Sequence, residues 1–124
     1  MHPCKILIVD DEWLIRSELR NMLETYEHIR VVGEAATVPD ALRLVKTHRP
    51  DVVFLDIQLP GRLGFELIDG SDVPFRVVFV SAYNQYMEQA KRYRPVAYLL
   101  KPVGQNQLKR IVQKLSCQNQ GGKT

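Results

Sequence analysis

The sequence predicts a doubly wound α/β domain, in which helices cover both faces of a parallel β-sheet. Apolar runs of strand length alternate with stretches whose apolar residues recur at helical spacing. This order is typical of parallel strands joined by right-handed crossovers. The strand-length runs are also continuously apolar, without the polar alternation of a half-exposed sheet, which indicates strands buried on both faces.

Five runs have the length of strands, and four of them are rich in β-branched residues. They are residues 6–9, 29–32, 52–55, 77–80 and 96–100. Each run is followed by polar or turn-forming residues, as expected where a strand ends. We therefore predict five strands.

Three of the intervening stretches have the spacing of amphipathic helices. Their apolar residues are Trp13, Leu14, Leu19, Met22 and Leu23 in the first, Ala41, Leu42, Leu44 and Val45 in the second, and Leu108, Ile111, Val112 and Leu115 in the last. The second helix also has start signals, because Thr37 can cap it, Pro39 suits its first turn and Asp40 is an early carboxylate. Residues 48–50 mark its end.

Two further crossovers are predicted to be helices from weaker patterns. Residues 65–68 form a short apolar segment before Gly70, and residues 87–93 are polar for a helix that packs on a sheet. With the three stronger patterns, they give five helices.

Length and composition favour one folded domain. The chain has 124 residues, of which 45% are hydrophobic and 25% are charged, a balance typical of a globular protein. We assign residues 1–117 to this domain. Residues 118–124 are polar and contain glycine, so we expect a disordered tail or the start of a linker to an output domain absent from this chain.

Location and redox state can also be predicted. No apolar run exceeds five residues, far below the roughly 20 needed to cross a bilayer. The start carries no secretory signal pattern, so we expect a cytoplasmic protein without a membrane partner. The formal charge is +3, but the basic residues are scattered, so we expect no direct contact with nucleic acid. Cys4 and Cys117 lack metal-type spacing and are expected to be reduced thiols.

Polar side chains follow four of the predicted strands at the point where each ends. Asp10 and Asp11 follow the first strand, Asp56 the third, Ser81 the fourth and Lys101 the fifth. Parallel strands end at one edge of the sheet, where α/β proteins bind their ligands. Taken singly, each residue has a plainer interpretation as a cap, a turn former or a solvated charge. Their coincidence at one edge favours a binding site, because clustered carboxylates there would cost stability unless a cation binds.

The carboxylates at this edge suit magnesium, which prefers hard oxygen ligands and shares its coordination with water and phosphate. We predict Asp11 and Asp56 as direct ligands and Asp10 as a ligand through water. The backbone carbonyl of Gln58 is the remaining protein ligand in the predicted magnesium site. A carboxylate in such a site can attack a phosphoryl donor, and Asp56 is best placed because it lies at the centre of the strand order.

The other two side chains at the edge suit the phosphoryl group itself. Lys101 would pair with phosphoryl oxygens as a point charge, and Ser81 would donate a hydrogen bond to one of them. Together with Asp56, these residues predict a phosphoacceptor site.

Four segments resemble the signature blocks of response-regulator receiver domains. In chain order they are ILIVDDE, VVFLDIQLPG, VFVSAY and AYLLKPV. The resemblance extends from residue 5 to about residue 115. It implies a flavodoxin-like (CheY-like) fold, with five helices and a five-stranded parallel sheet of order 2-1-3-4-5.

The resemblance also implies the metal and phosphoacceptor roles. Asp56 is implied to be the phosphoacceptor. The magnesium site is implied to consist of Asp10, Asp11 and Asp56 with the carbonyl of Gln58. These roles agree with the interpretation from the residue types alone.

Further residues are implied to sense the phosphoryl group. Ser81 would be the hydroxyl switch and Lys101 the phosphate-sensing cation, held toward the site by a cis peptide bond before Pro102. Tyr98 is similar to the aromatic residue that swings inward when Ser81 moves. An ordinary core aromatic is an equally good interpretation of Tyr98.

The implied partners are a sensor histidine kinase and an output domain. The segments SAYNQY and AYLLKPV resemble the corresponding segments of receivers attached to a LytTR-type DNA-binding domain. This resemblance implies a role in transcription regulation. The face formed by the fourth helix, fifth strand and fifth helix is the implied surface for a homodimer. Leu63 and Ala97 depart from the family pattern at positions away from the phosphoryl chemistry. The basic residues 91–94 form either a solvated face or a contact for an acidic partner.

Three classes of function compete at this point. The first is a phosphorylation switch that catalyses only its own phosphorylation and dephosphorylation. The second is a receiver-like interaction domain that never carries phosphate, which the complete set of site residues disfavours. The third is an enzyme on a similar fold, either an aspartate-nucleophile phosphatase or a flavin-binding electron carrier. The chain has little room for a cap domain and no visible flavin-cradling loop, so the switch is favoured.

Overall fold

The computed structural model describes residues 2–115, in which helices flank a parallel sheet. The strands of this sheet are β1 (Cys4–Val9), β2 (Ile29–Ala35), β3 (Val52–Asp56), β6 (Arg76–Ser81) and β7 (Ala97–Leu100). Two short strands, β4 (Gln58–Leu59) and β5 (Arg62–Leu63), form a separate antiparallel pair. The helices are α1 (Trp13–Leu23), α2 (Val38–His48), α3 (Phe65–Gly70), α4 (Met87–Ala90) and α5 (Gln105–Leu115).

The main sheet has the order β2-β1-β3-β6-β7, and every neighbouring pair is parallel. Counted within this sheet alone, the order is 2-1-3-4-5, so the predicted fold class and strand order are confirmed. Because β3 is central, the carboxyl ends of β1, β3 and β6 lie side by side. This edge of the sheet carries the predicted site.

Each face of the sheet has its own hydrophobic core. On one face α1 and α5 pack against the sheet, with Leu19 and Leu108 buried among strand residues such as Phe54. On the other face α2, α3 and α4 cover the sheet, with Phe65 buried beside Leu55. Successive residues of β3 therefore enter different cores, which explains why its apolar run is continuous.

The predicted ends of the second helix are confirmed. The side-chain oxygen of Thr37 accepts a hydrogen bond from the Asp40 backbone N–H at 3.3 Å, and Pro39 lies in the first turn. The helix ends at His48, where Arg49 adopts a left-handed conformation with φ of 46°. These contacts satisfy backbone groups that a helix end would leave without a partner.

The two weaker helix predictions are correct in position but differ in length. The third helix continues to Gly70. The fourth is α-helical only over Met87–Ala90 and changes to a 3-10 turn at Lys91–Tyr93. It ends because Arg94 has a φ of 50° and precedes Pro95, and a proline disfavours helical conformation in the residue before it.

The short antiparallel hairpin after β3 was not predicted. Its strands, β4 and β5, are only two residues long and are joined through Pro60 and Gly61. Gly61 has a φ of 74°, a conformation that residues other than glycine adopt at a cost. The hairpin places Gln58 and Arg62 beside the end of β3.

The expectation of a reduced thiol at Cys4 was wrong, because Cys4 forms a disulfide bond. The spacing of the cysteines in the sequence gave no signal for this bond. Cys117 and the predicted tail, residues 118–124, lie outside the described residues. No helix within residues 2–115 is long and apolar enough to span a membrane.

Candidate functional site

The structure brings the predicted carboxylates together at the carboxyl edge of the sheet. Asp10 and Asp11 directly follow β1, and Asp56 is the last residue of β3, the neighbouring strand. One carboxylate oxygen from each of the three residues lies within 4.8 Å of the other two. Asp10 and Asp56 are buried, whereas Asp11 is exposed. The cluster therefore has two carboxylates at its base and one at its solvent side.

Lys101 lies over this cluster. Its Nζ is 2.9 Å from Asp10 Oδ2 and 3.3 Å from both Asp56 Oδ2 and Glu12 Oε1. Its side chain is only 13% exposed. The Lys101–Pro102 peptide bond is cis, as the resemblance implied. Lys101 is thus the cation that compensates the buried carboxylates in the described structure.

Backbone N–H groups hold one oxygen of each buried carboxylate. Asp10 Oδ1 accepts a hydrogen bond from the Glu12 N–H at 2.9 Å, and Asp56 Oδ1 accepts one from the Gln58 N–H at 3.1 Å. Asp10 Oδ2 is different, because it is fully buried and accepts no hydrogen bond of normal geometry. Its 2.9 Å approach to Lys101 is an ion pair only. A buried carboxylate oxygen in this condition is a ligand atom suited to a cation.

Electrostatics distinguish Asp56 from an ordinary carboxylate. Burial and the nearby Asp10 charge raise the pKa of Asp56, Lys101 and the Gln58 N–H oppose them, and the net result is a pKa of about 6. For Lys101, burial lowers the pKa, but the attraction of Asp10 and Asp56 outweighs burial and raises the pKa above its usual value. Lys101 therefore stays charged, and Asp56 is mostly ionised at neutral pH.

The chemistry of these residues fits magnesium. Three carboxylates offer one oxygen each within a small volume, and one of these residues has a buried oxygen without a hydrogen bond. Hard carboxylate oxygens suit Mg²⁺, which commonly completes its coordination with water and phosphate oxygens. The exposed position of Asp11 leaves the cluster accessible from solvent.

The cluster opens into a cleft of about 670 Å³. Its walls include Asp56 and Lys101, and also side chains that sequence reasoning missed, among them Glu12, Arg62 and Tyr83. Glu12 was visible as the next acidic residue after β1, but its contact with Lys101, 89 residues away, has no local sequence signal. Arg62 reaches the cleft only because of the hairpin that was not predicted.

Ser81 and Tyr98 lie beside the cluster and both contact Tyr83. Ser81 is the buried last residue of β6, and its Oγ accepts a hydrogen bond from the Tyr83 N–H at 3.0 Å. The hydroxyl of Tyr98 donates to the Tyr83 carbonyl oxygen at 2.6 Å, and its ring packs on Phe79 at 6.3 Å. Ser81 is not among the residues that line the cleft. In this structure, both predicted switch residues therefore form hydrogen bonds with the loop after β6.

Gly64 limits how the backbone of Asp56 can be placed. A Cβ at Gly64 would overlap the backbone carbonyl oxygen of Asp56 and crowd the side chain of Leu55. We expect Gly64→Ala to lower the free energy of unfolding by about 1–3 kcal/mol through this overlap. We also expect it to weaken Mg²⁺ binding, since Asp56 must move.

The matched control for Gly64→Ala is Gly70→Ala. A Cβ at Gly70 would meet only the side chain of Leu42, at an ordinary contact distance of 3.8 Å. Urea unfolding and Mg²⁺ titration should therefore separate the two variants. Equal behaviour of the two alanine variants would contradict the close approach of Gly64 to Asp56.

The parallel sheet of this order, with an acidic cluster and a lysine at its carboxyl edge, defines a receiver domain. The chain belongs to the response regulator receiver domain family, whose family model matches residues 6–113. The predicted family is confirmed.

Among curated relatives, the chain is 40% identical over 119 residues to the sensory transduction protein LytT of Bacillus cereus, covering 94% of this chain and 48% of LytT. It is 40% identical over 113 residues to the transcriptional regulatory protein BtsR of Salmonella typhimurium, covering 90% of this chain and 47% of BtsR. The chain thus spans about half the length of these relatives.

Solved structures show the same fold. The receiver domain of AraT from Geobacillus stearothermophilus matches with a TM-score of 0.81 and 29% identity, covering 97% of this chain and 98% of that one. The response regulatory domain of MrkE from Klebsiella pneumoniae matches with a TM-score of 0.82 and 28% identity, covering 92% and 96%.

Proposed function

We propose that this chain is the phosphorylatable receiver of a two-component response regulator. A sensor histidine kinase transfers a phosphoryl group to Asp56, and the resulting change controls an output domain. The observation that carries this proposal is the cluster of Asp10, Asp11 and Asp56, with Lys101 over it, at the base of an open cleft.

The transfer step uses Asp56 as the nucleophile. A carboxylate oxygen of Asp56 attacks the phosphorus of a phosphohistidine, the P–N bond breaks, and the imidazole leaves with the electron pair. The product is an aspartyl phosphate. Asp56 is ready for this step at neutral pH because its pKa of about 6 leaves it mostly ionised.

The remaining residues stabilise the charges of this step. Lys101 pairs with the phosphoryl oxygens and shields them from Asp10. The residues that would hold magnesium are Asp10, Asp11, Asp56 and the backbone carbonyl of Gln58. When bound, magnesium neutralises the carboxylate cluster and the charge of the phosphoryl oxygens.

The conformational switch begins at Ser81. Its hydroxyl would leave the Tyr83 N–H and donate to a phosphoryl oxygen, which moves the loop after β6. Tyr98 holds the Tyr83 carbonyl oxygen at 2.6 Å, so a shift of this loop also acts on Tyr98. This contact favours the switch role of Tyr98, and the role of a core aromatic remains its alternative.

The output of the switch is proposed from the relatives. LytT is named a sensory transduction protein and BtsR a transcriptional regulatory protein, which supports an output in transcription regulation. The proposed output is a LytTR-type DNA-binding domain, joined to this receiver in a longer cytoplasmic protein. The receiver itself would contact neither DNA nor membrane. Phosphorylation would favour a homodimer through the face formed by α4, β7 and α5.

Intact-mass analysis tests the proposed function. The chain is incubated with acetyl phosphate, with and without Mg²⁺, beside an Asp56→Asn variant. We expect one phosphoryl adduct that requires both Mg²⁺ and Asp56. If the folded protein binds Mg²⁺ and still forms no adduct, the chain is instead an interaction domain that works without phosphate.

A further inference from the structure

The side chain of Gln58 connects the site to the start of α4. Its Nε2 donates a hydrogen bond to the hydroxyl of Tyr86 at 2.9 Å, across 28 residues of sequence. Tyr86 is the residue immediately before α4. No other side-chain hydrogen bond of Gln58 occurs within residues 2–115. The position of this exposed side chain therefore depends on Tyr86.

Tyr86 has a support of its own. Its ring packs edge-on against Phe65, the first residue of α3, with ring centroids 6.5 Å apart. Phe65 is buried, so the position of the Tyr86 ring is set by the core. The anchored partner in this hydrogen bond is thus Tyr86, and the positioned partner is Gln58.

The backbone of Gln58 contacts the phosphoacceptor. Its N–H donates to Asp56 Oδ1 at 3.1 Å, and its pairing with Leu63 fixes it at the first position of the hairpin. One residue thus joins a side-chain contact with Tyr86 and a backbone contact with Asp56.

We propose that Tyr86 is a positioning residue for the metal and phosphoryl site. Its hydroxyl holds Gln58 so that the Gln58 N–H stays on Asp56 and the Gln58 carbonyl can serve the metal. This inference rests on the proposed function, because the metal role of Gln58 belongs to that proposal. It adds a direct coupling between the site and the start of α4, and such coupling is reciprocal for binding.

Tyr93 provides a matched control in the same aromatic cluster. Its ring also packs on Phe65, stacked at a centroid distance of 5.0 Å, and its hydroxyl donates to the carboxylate of Asp69 at 3.0 Å. Tyr86→Phe and Tyr93→Phe each remove one hydroxyl and keep a ring on Phe65. Only the first change removes a hydrogen bond to a residue of the site.

The experiment is a Mg²⁺ titration followed by the fluorescence of Trp13. This is the single tryptophan of the chain, and it is 69% exposed and adjacent to Glu12. Tyr86→Phe is expected to weaken Mg²⁺ binding about threefold, the size expected for loss of one partly exposed hydrogen bond. Gln58→Met, which keeps the backbone carbonyl, should weaken binding equally. The double variant should be no weaker than either single variant.

The phosphorylation-independent readout is the side-chain amide signal of Gln58 in an NMR spectrum. We expect it to shift in Tyr86→Phe and to stay unchanged in Tyr93→Phe, with and without Mg²⁺. Equal Mg²⁺ affinities of Tyr86→Phe and the wild type would overturn the inference. So would equal weakening by both tyrosine variants, since the cause would then be general packing. A wild type that binds no Mg²⁺ would instead contradict the proposed function itself.

Discussion

Lys101→Met is expected to lower the free energy of unfolding by about 3 kcal/mol at pH 7.5 in the absence of divalent cations. Lys101 is the cation within 3.3 Å of Asp10, Glu12 and Asp56, and two of these carboxylates are buried. Its removal leaves buried charge without compensation. The apolar side chain of Met replaces most of the packing of the lysine stem. The decrease in the free energy of unfolding therefore measures the effect of removing the charge. Urea unfolding measures this effect.

The loss in Lys101→Met should depend on pH and on metal. Lys101 lowers the pKa of Asp56, so without Lys101 this pKa lies above 6, and the penalty shrinks as pH falls from that raised pKa to about 6. Mg²⁺ should restore much of the stability by supplying the missing positive charge. Lys91→Met is the control, because among residues 2–115 Lys91 forms an ion pair only with exposed Glu88, at 3.0 Å. A loss that neither acid nor Mg²⁺ reduces would contradict this electrostatic account.

Asp56→Asn is expected to raise the free energy of unfolding by about 2 kcal/mol at pH 8 in the absence of metal. Burial and the charge of Asp10 raise the pKa of Asp56 from 3.8 to about 6, so the folded state resists ionisation of this carboxyl. A neutral amide of the same shape avoids that cost. The proposed phosphoacceptor is thus held at the expense of stability, as is common for functional carboxylates.

The pH dependence of this gain has a definite sign. The folded protein binds the Asp56 proton more tightly than the unfolded chain, so the wild type loses stability relative to Asp56→Asn as pH rises from about 4 to about 6. The advantage of the variant should therefore vanish at pH 4. Mg²⁺ should reverse it, because Mg²⁺ stabilises the wild type more strongly. Asp72→Asn controls for the change in net charge, because Asp72 is exposed. An Asp56→Asn variant that is less stable than the wild type at pH 8 would contradict the prediction.

Most of the fold could be predicted because its signals are local. Strand β3 alternates between two cores, so its residues are apolar without interruption, and the cap formed by Thr37 lies within one turn of the helix that it starts. The position of Asp56 followed from the same reasoning, since parallel strands end at one edge. The strand order came from the resemblance rather than from the residues.

The remaining features depend on contacts between distant segments. Glu12 meets Lys101 only after the sheet is assembled, and Gln58 meets Tyr86 only because α3 supports the tyrosine ring. The hairpin was missed for another reason, because two-residue strands are too short to show a period.

The measurement that tests the central claim most directly is the location of the phosphoryl group. After incubation with acetyl phosphate and Mg²⁺, borohydride reduction converts an aspartyl phosphate to homoserine, which tandem mass spectrometry assigns to one position. We predict homoserine at position 56 and at no other carboxylate of the cluster. Homoserine at Asp10 or Asp11 in place of Asp56, or an adduct that borohydride does not convert, would contradict the assignment of Asp56 as the phosphoacceptor.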